Sequence, residues 1–213
     1  AGRRIVLHFG AVDHEARVWL NGHLVATHEG GHTPFHADVT DALQDGVQTL
    51  TVRAADDPHD MHKPRGKQDW RPEPHGIWYP RTSGIWQSVW LEPVHPHHLT
   101  TVRFTPDVPS FSIDADVRFA GPVEGTLVVE VRRGDELLVA DRWGITGRSV
   151  GRTVRLPDPG IDDARRSFLW SPEHPTLLDV RLALEVDGVV VDEVHSYTDL
   201  RSVEARDGFF QLN

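Results

Sequence analysis

The sequence predicts an all-β chain of two β-sandwiches, and three observations predict it. Helical periodicity is nearly absent along the 213 residues. Fifteen prolines and eighteen glycines cut the chain into short runs rich in β-branched residues, which is how strands and their turns alternate. Two dipeptides, Asn21-Gly22 and Asp187-Gly188, fit a tight type I′ hairpin, whose two central residues both take positive φ.

The first strand is expected at residues 4–9 and the second at 16–20, where Val18 and Leu20 alternate with Arg17 and Trp19. Asn21-Gly22 turns the chain into a partner strand at 23–28. Two more strands are expected at 35–39 and 47–54, with a single helical turn at 39–43 between them. A long irregular segment, 56–82, follows. It holds Asp56, Asp57, Asp60, Arg65, Lys67, Asp69, Trp70, Glu73, Trp78 and Tyr79 among its prolines. Loops of that length inside a compact domain are functional or disordered, and three aromatics speak against disorder.

Residues 81–92 then read as a closing strand. Ile85, Val89 and Leu91 point to one face, Trp86 and Trp90 to the other. A strand apolar on both faces is buried on both, or buried on one and covered by a ligand or partner on the other. Trp86 and Trp90 are therefore read as an interdomain or partner interface, with direct sugar stacking as the other reading. Pro93, Pro96 and the histidines 95, 97 and 98 look like a linker. Seven further strands are expected, at 99–104, 111–119, 125–132, 136–143, 150–156, 178–186 and 189–197. That spacing suggests an immunoglobulin-like sandwich.

Composition excludes several functions. The chain carries 22 basic and 32 acidic side chains, a net charge of −10, so nucleic acid and anionic membrane surfaces are not expected partners. Without cysteine there is neither a disulfide framework nor a thiolate metal site. The Asp57/His59/Asp60/His62 and His95/His97/His98 groups lack a metal-site spacing, so no metal and no cofactor are expected.

Catalysis by two carboxylates needs a pair about 5–5.5 Å apart, or further for an inverting enzyme. Asp56, Asp57, Asp60, Asp69 and Glu73 are the loop acids near aromatics, but spacing alone does not make two of them converge. No nucleophile elbow or phosphate-binding glycine loop is present. Carbohydrate contact fits better. Aromatic faces stack on the C–H patches of a pyranose, while charged and amide groups bind its hydroxyls. Arg65, Lys67, Gln68, Asp69, Trp70 and Trp78 supply that mixture in one loop. The other reading has Trp70 and Trp78 plugging the loop onto its own domain or a neighbour.

Five segments, in order, carry a family resemblance: Phe9-Gly10-Ala11-Val12-Asp13 with Val18-Trp19-Leu20-Asn21-Gly22; Gly31-His32-Thr33-Pro34-Phe35 to Asp38-Val39-Thr40; Pro64-Arg65-Gly66-Lys67-Gln68 with Gly84-Ile85-Trp86; Trp170-Ser171-Pro172 to Pro175-Thr176-Leu177; and Arg201 to Glu204 with Phe209-Phe210-Gln211-Leu212-Asn213. Together they resemble glycoside hydrolase family 2, the family of β-galactosidases, β-glucuronidases and β-mannosidases. Asp199-Leu200 departs from it, standing where the family has a glycine before Arg201.

The resemblance implies a jelly-roll, galactose-binding-like domain over 1–94, an immunoglobulin-like domain over 95–200, and an exit segment at 201–213. That exit would lead to a (β/α)₈ barrel carrying both catalytic glutamates, so no catalytic residue is expected in this chain. The family's first sandwich has strands ahead of the one at Arg4, which implies a first domain clipped at its front. The parent would be a retaining glycosidase acting on terminal β-linked sugars. Its expected partners are its own barrel and a carbohydrate substrate, with a homo-oligomer left open. The alternative is a stand-alone carbohydrate-binding or adhesion module.

Overall fold

The computed structural model describes residues 2–213. The chain forms two compact units, Ala1–Val94 and His95–Asn213. All but two short helical turns of its regular structure is β.

In the first unit, β1 (Arg4–Phe9), β2 (Val12–Asp13), β3 (Glu15–Leu20), β4 (His23–Glu29) and β5 (Phe35–Asp38) precede β6 (Leu50–Ala55), β7 (Gly84–Ile85) and β8 (Val89–Val94). Three sheets result, in the orders β5-β1-β8, β4-β3-β6 and β2-β7. Alternation puts Ala16, Val18 and Leu20 of β3 into a core with Leu7, Phe9, Val12 and Val39. The ring of Phe9 stacks on Phe35 at 4.7 Å, and Phe35 on His28 at 4.4 Å, which closes the β4–β5 margin of the sandwich.

Asn21 and Gly22 both have positive φ, +51° and +83°, as the hairpin requires. The Asn21 side chain has a second task. Its Nδ2 donates to Ala42 O (2.9 Å) and Gln48 Oε1 (2.7 Å), and its Oδ1 accepts from Thr49 N (2.9 Å). This explains why β6 starts at Leu50, not at 47 as the sequence suggested: Gln48 is spent on the turn, also bonding Gln44 and Gly46. The helical turn at Thr40–Ala42 is present.

The closing strand is not continuous. Val12 pairs with Ile85, but Phe9 pairs with Val89, so the 84–94 segment carries one residue more than its partner. That bulge at 86–88 interrupts the alternation, while within β8 Val89 and Leu91 share one face and Trp90 takes the other. Of the two alternatives for this strand, burial on both faces is not observed. Ile85, Trp86, Val89, Trp90 and Leu91 are all exposed, Leu91 by 58%, and β8 is an edge strand, paired only with β1.

The second unit contains β9 (Leu99–Asp107), β10 (Ser112–Arg133), β11 (Glu136–Arg155), α1 (Asp162–Arg166), β12 (Leu178–Val186), β13 (Val189–Thr198), β14 (Val203–Arg206) and β15 (Phe209–Leu212). Four strands expected to be separate are two. Each of β10 and β11 runs through both layers, and both bend where Arg118–Ser149 pairing gives way to Val123–Gly147. Gly121 and Pro122 lie in one bend, and Gly147, with φ +132°, lies in the other. Before the bend β10 pairs with β9, and after it with β12. Ile113 and Val117 from one half meet Leu127, Val129 and Leu182 from the other in a single core.

The short α1 was too brief to register as periodicity. It is flanked by an ion pair between Asp158 and Arg165. The exit segment folds into the β14–β15 hairpin around Asp207-Gly208, at φ +54° and +80°. That turn pair is visible in the sequence and was not read as a hairpin. Asn213 ties the hairpin back through its Nδ2, which donates to Trp170 O (3.0 Å), while Arg201 lies over the Trp170 ring.

Candidate functional site

The irregular segment 56–82 carries the chemistry the sequence singled out, and its geometry is fixed by one buried carboxylate. Asp69 is 1% exposed. Its Oδ1 accepts from Arg71 N (3.1 Å), and its Oδ2 accepts from both His75 N (2.7 Å) and His75 Nδ1 (2.5 Å). With Asp69 ionised, His75 Nδ1 must carry its hydrogen. Burial opposes that ionisation. The Arg71 backbone bond, the His75 side-chain and backbone bonds and the His75 charge outweigh it, and hold the carboxyl at about 2. The chain on either side is pinned by Asp69 N to Tyr79 O (2.8 Å) and Tyr79 N to Lys67 O (2.9 Å).

Around this anchor the aromatics pack on one another. Trp70 meets Trp78 edge-on at 5.7 Å and His75 at 5.2 Å, and Arg65 lies over the Trp70 ring at 5.1 Å. The Arg65 guanidinium donates to Pro58 O, and Gln68 Oε1 accepts from Thr82 N. Of the six substrate-proximal candidates, Arg65, Asp69, Trp70 and Trp78 thus form one cluster. Gln68 clamps the loop's exit, and the Lys67 side chain is exposed. His75 completes the cluster. Sequence reasoning missed it, because a histidine six residues from an aspartate has no characteristic spacing.

Of the loop acids, Asp56, Asp57, Asp60 and Asp69 are held by the loop itself. Asp57 and Asp60 cap the backbone N–H groups of His59 and His62, and Asp56 pairs with Lys63 at 3.3 Å. Asp56, Asp57, Asp60 and Lys63 line a narrow cleft, of about 10 Å³, with Asp13 and Arg81. Burial, and then the nearby Asp56 charge, push the Asp13 carboxyl upward. Among the described residues, no three His, Asp or Glu side chains converge as metal ligands would. Trp86 lies in the bulge between β7 and β8, and Trp90 on β8. Trp86 Nε1 donates to Gly31 O (2.7 Å), and Trp90 stacks on His8 at 4.7 Å.

The Asp69 anchor predicts a pH dependence. A carboxyl held below its unfolded value stabilises the fold above that value and loses the contribution as pH falls through its folded one. The loop should stay closed above about pH 4 and open as pH falls toward 2. Tryptophan fluorescence should report this, since Trp70 and Trp78 pack against the anchor. Asp69→Asn should show the open-loop signal already at neutral pH.

Comparison with known proteins follows the same division. Residues 1–87 match the family described as glycosyl hydrolase 2 galactose-binding domain-like. A beta-galactosidase of Thermoanaerobacter pseudethanolicus is 29% identical over 218 residues, covering 100% of this chain and 28% of that protein. A beta-glucuronidase of Canis lupus familiaris is 27% identical over 231 residues, covering 100% and 34%. The crystal structure of a glycosyl hydrolase family 2 member from Bacteroides cellulosilyticus superposes with a TM-score of 0.70 at 25% identity, over 100% of this chain and 28% of that one. A Faecalibacterium prausnitzii beta-glucuronidase gives 0.72 at 25% identity, over 100% and 37%. The chain thus spans about a third or less of the two curated relatives.

Proposed function

We propose that this chain, whose residues 1–87 match the galactose-binding-like domain of glycosyl hydrolase family 2, is the non-catalytic part of a retaining glycosidase acting on terminal β-linked sugars. The observation that carries this reading is the coverage. Relatives named as glycosidases align with the chain from end to end, yet about two thirds or more of their length lies outside it. The site chemistry agrees. The loop acids that sequence reasoning considered for an acid–base pair are mostly bound to neighbours in their own loop, as Asp56, Asp57, Asp60 and Asp69 are.

The role left to the chain is to pack on a catalytic barrel and to shape the edge of its sugar subsite. The Asp69-anchored loop suits that edge. A rigid aromatic wall costs little ordering entropy when a pyranose meets it, and the exposed Lys67 and Arg71 lie beside it in the loop. Hydrolysis of a panel of nitrophenyl β-glycosides tests this. The 213-residue chain should be inactive, and the chain extended through the parent reading frame should cleave at least one β-glycoside. Activity in the short chain alone would overturn the proposal. Inactivity of both, with sugar binding by the short chain, would favour a binding module.

A further inference from the structure

The second unit holds a pocket of about 430 Å³, within the size range that takes small molecules. Three elements wall it. The turn between β9 and β10 contributes Val108, Pro109 and Phe111. Asp162, Arg165 and Arg166 come from α1, with Leu169 just beyond it. Ser202, Glu204, Gln211 and Asn213 come from the β14–β15 hairpin and its ends. The turn wall is firmly held. Phe111 N donates to Val108 O (3.2 Å) and Phe111 O accepts from Leu156 N (3.0 Å), which keeps Phe111 at a φ of +54° that bulky residues avoid. Its buried ring meets Phe168 edge-on at 5.3 Å, so this wall rests on the core of the unit.

The hairpin presents its polar row to this pocket. Glu204 pairs with Gln211, and two positions along Ser202 O accepts from Asn213 N, so the four residues share one face. Val203, Phe210 and Leu212 occupy the other face, and Phe210 is 89% exposed. A ribbon that served only to plug a gap beside Leu169 and Val108 would turn that apolar row inward, because burial favours it. The observed order sets carboxylate and amide groups opposite apolar walls, which suits an occupant with both kinds of surface. Asn213 is already committed. Its Oδ1 accepts from Ser202 N (3.0 Å) and its Nδ2 donates to Trp170 O (3.0 Å). Glu204 and Gln211 are exposed and remain turned to the pocket.

The charges of the lining balance. Two carboxylates, Asp162 and Glu204, stand against two guanidiniums, Arg165 and Arg166. Arg165 is held by Asp158, whereas Arg166 reaches Asp163 only at 3.7 Å, with its side chain 78% exposed. A charged ligand would be attracted by one pair and repelled by the other. A neutral polyol escapes that conflict, since each hydroxyl can donate to a carboxylate or accept from a guanidinium or amide. Its C–H patches would meet Val108, Pro109 and Leu169. We propose that this pocket binds a neutral hexopyranose, with Glu204 accepting from its hydroxyls and Arg166 and Gln211 donating to them. Phe111 is buried and offers no stacking face, so the affinity is modest. At the efficiency of ordinary small ligands, a methyl hexopyranoside should bind with a Kd of about 1 mM. All the lining residues belong to the second unit and none to the Asp69 loop, so the assignment does not rest on the glycosidase reading.

The test is a titration of the isotope-labelled 213-residue chain, followed by amide NMR shifts. The probes are the methyl β-pyranosides of galactose, glucose and mannose, beside sodium glucuronate and sodium sulfate. At least one methyl glycoside should give saturable shifts at Arg166, Leu169, Glu204 and Gln211, and the two sodium salts should bind more weakly. Glu204→Ala should weaken binding about tenfold, as loss of a hydrogen bond to a charged group does, with the rest of the spectrum unchanged. If that variant misfolds, Arg166→Ala probes the same pocket from α1 and should show a similar loss. Absence of saturable shifts, shifts confined to residues 65–78, tighter binding of glucuronate or sulfate, or undiminished binding in a folded variant would each overturn the proposal.

Discussion

Replacing Phe9 by alanine should lower the stability of the first unit by about 3–5 kcal/mol. Phe9 is 1% exposed at the centre of the small core and stacks on Phe35. The core around it has few buried members, and Leu50 and Leu91 of the same unit are exposed, so a cavity there has little to draw on. Urea unfolding followed by tryptophan fluorescence should show a lower midpoint with an unchanged slope. A loss below about 1 kcal/mol would mean that the unit collapses into the space, and that the Phe9–Phe35 stack within the β5-β1-β8 sheet adds little.

The second large effect is expected at Gly125→Ala, which should cost the second unit about 3 kcal/mol. Gly125 lies in β10 just past the bend, where a Cβ would stand 2.4 Å from the backbone oxygen of Glu185 in β12. A carbonyl within a ladder has no rotamer to retreat into, so β10 or β12 must shift. Gly144→Ala is the control. Gly144 lies on β11 opposite Thr126, and a Cβ there meets nothing within 4 Å. It should change stability by less than about 0.5 kcal/mol. Equal effects at the two glycines would point to backbone entropy and not to the clash.

Much of the fold was legible because local chemistry dictated it. Asn21-Gly22 and Asp187-Gly188 fixed two hairpins from two residues each, and the alternation of Ala16, Val18 and Leu20 fixed one inner face. What was not legible was non-local. A single extra residue at 86–88 broke the expected closing strand in two, and only its pairing with β1 and β2 reveals it. The fusion of expected strands into β10 and β11 has a similar cause. Gly121-Pro122 reads as a break in sequence, but here it marks a bend within a paired ladder. In the candidate site, the residue types in the loop were apparent while their allegiance was not. Asp69 and Gln68 could face a sugar or their own backbone with the same letters, and the structure turns both inward.

The double use of β10 and β11 bears on how the second unit comes apart. A sandwich made of two separate sheets has a seam along which one layer could peel from the other. Here the same two strands belong to both layers, so a break in one is transmitted along the backbone to the other. The hairpin that joins them closes at Gly134-Asp135, with Gly134 at φ +58°, and needs only local contacts to begin. It can zip from that turn before β9, β12 or β13 is in place, which keeps the early steps at low contact order. The reverse path lacks a partial stop: the unit should open as one cooperative block, with α1 and the β14–β15 hairpin, which lie outside the ladder, as the parts free to fray first.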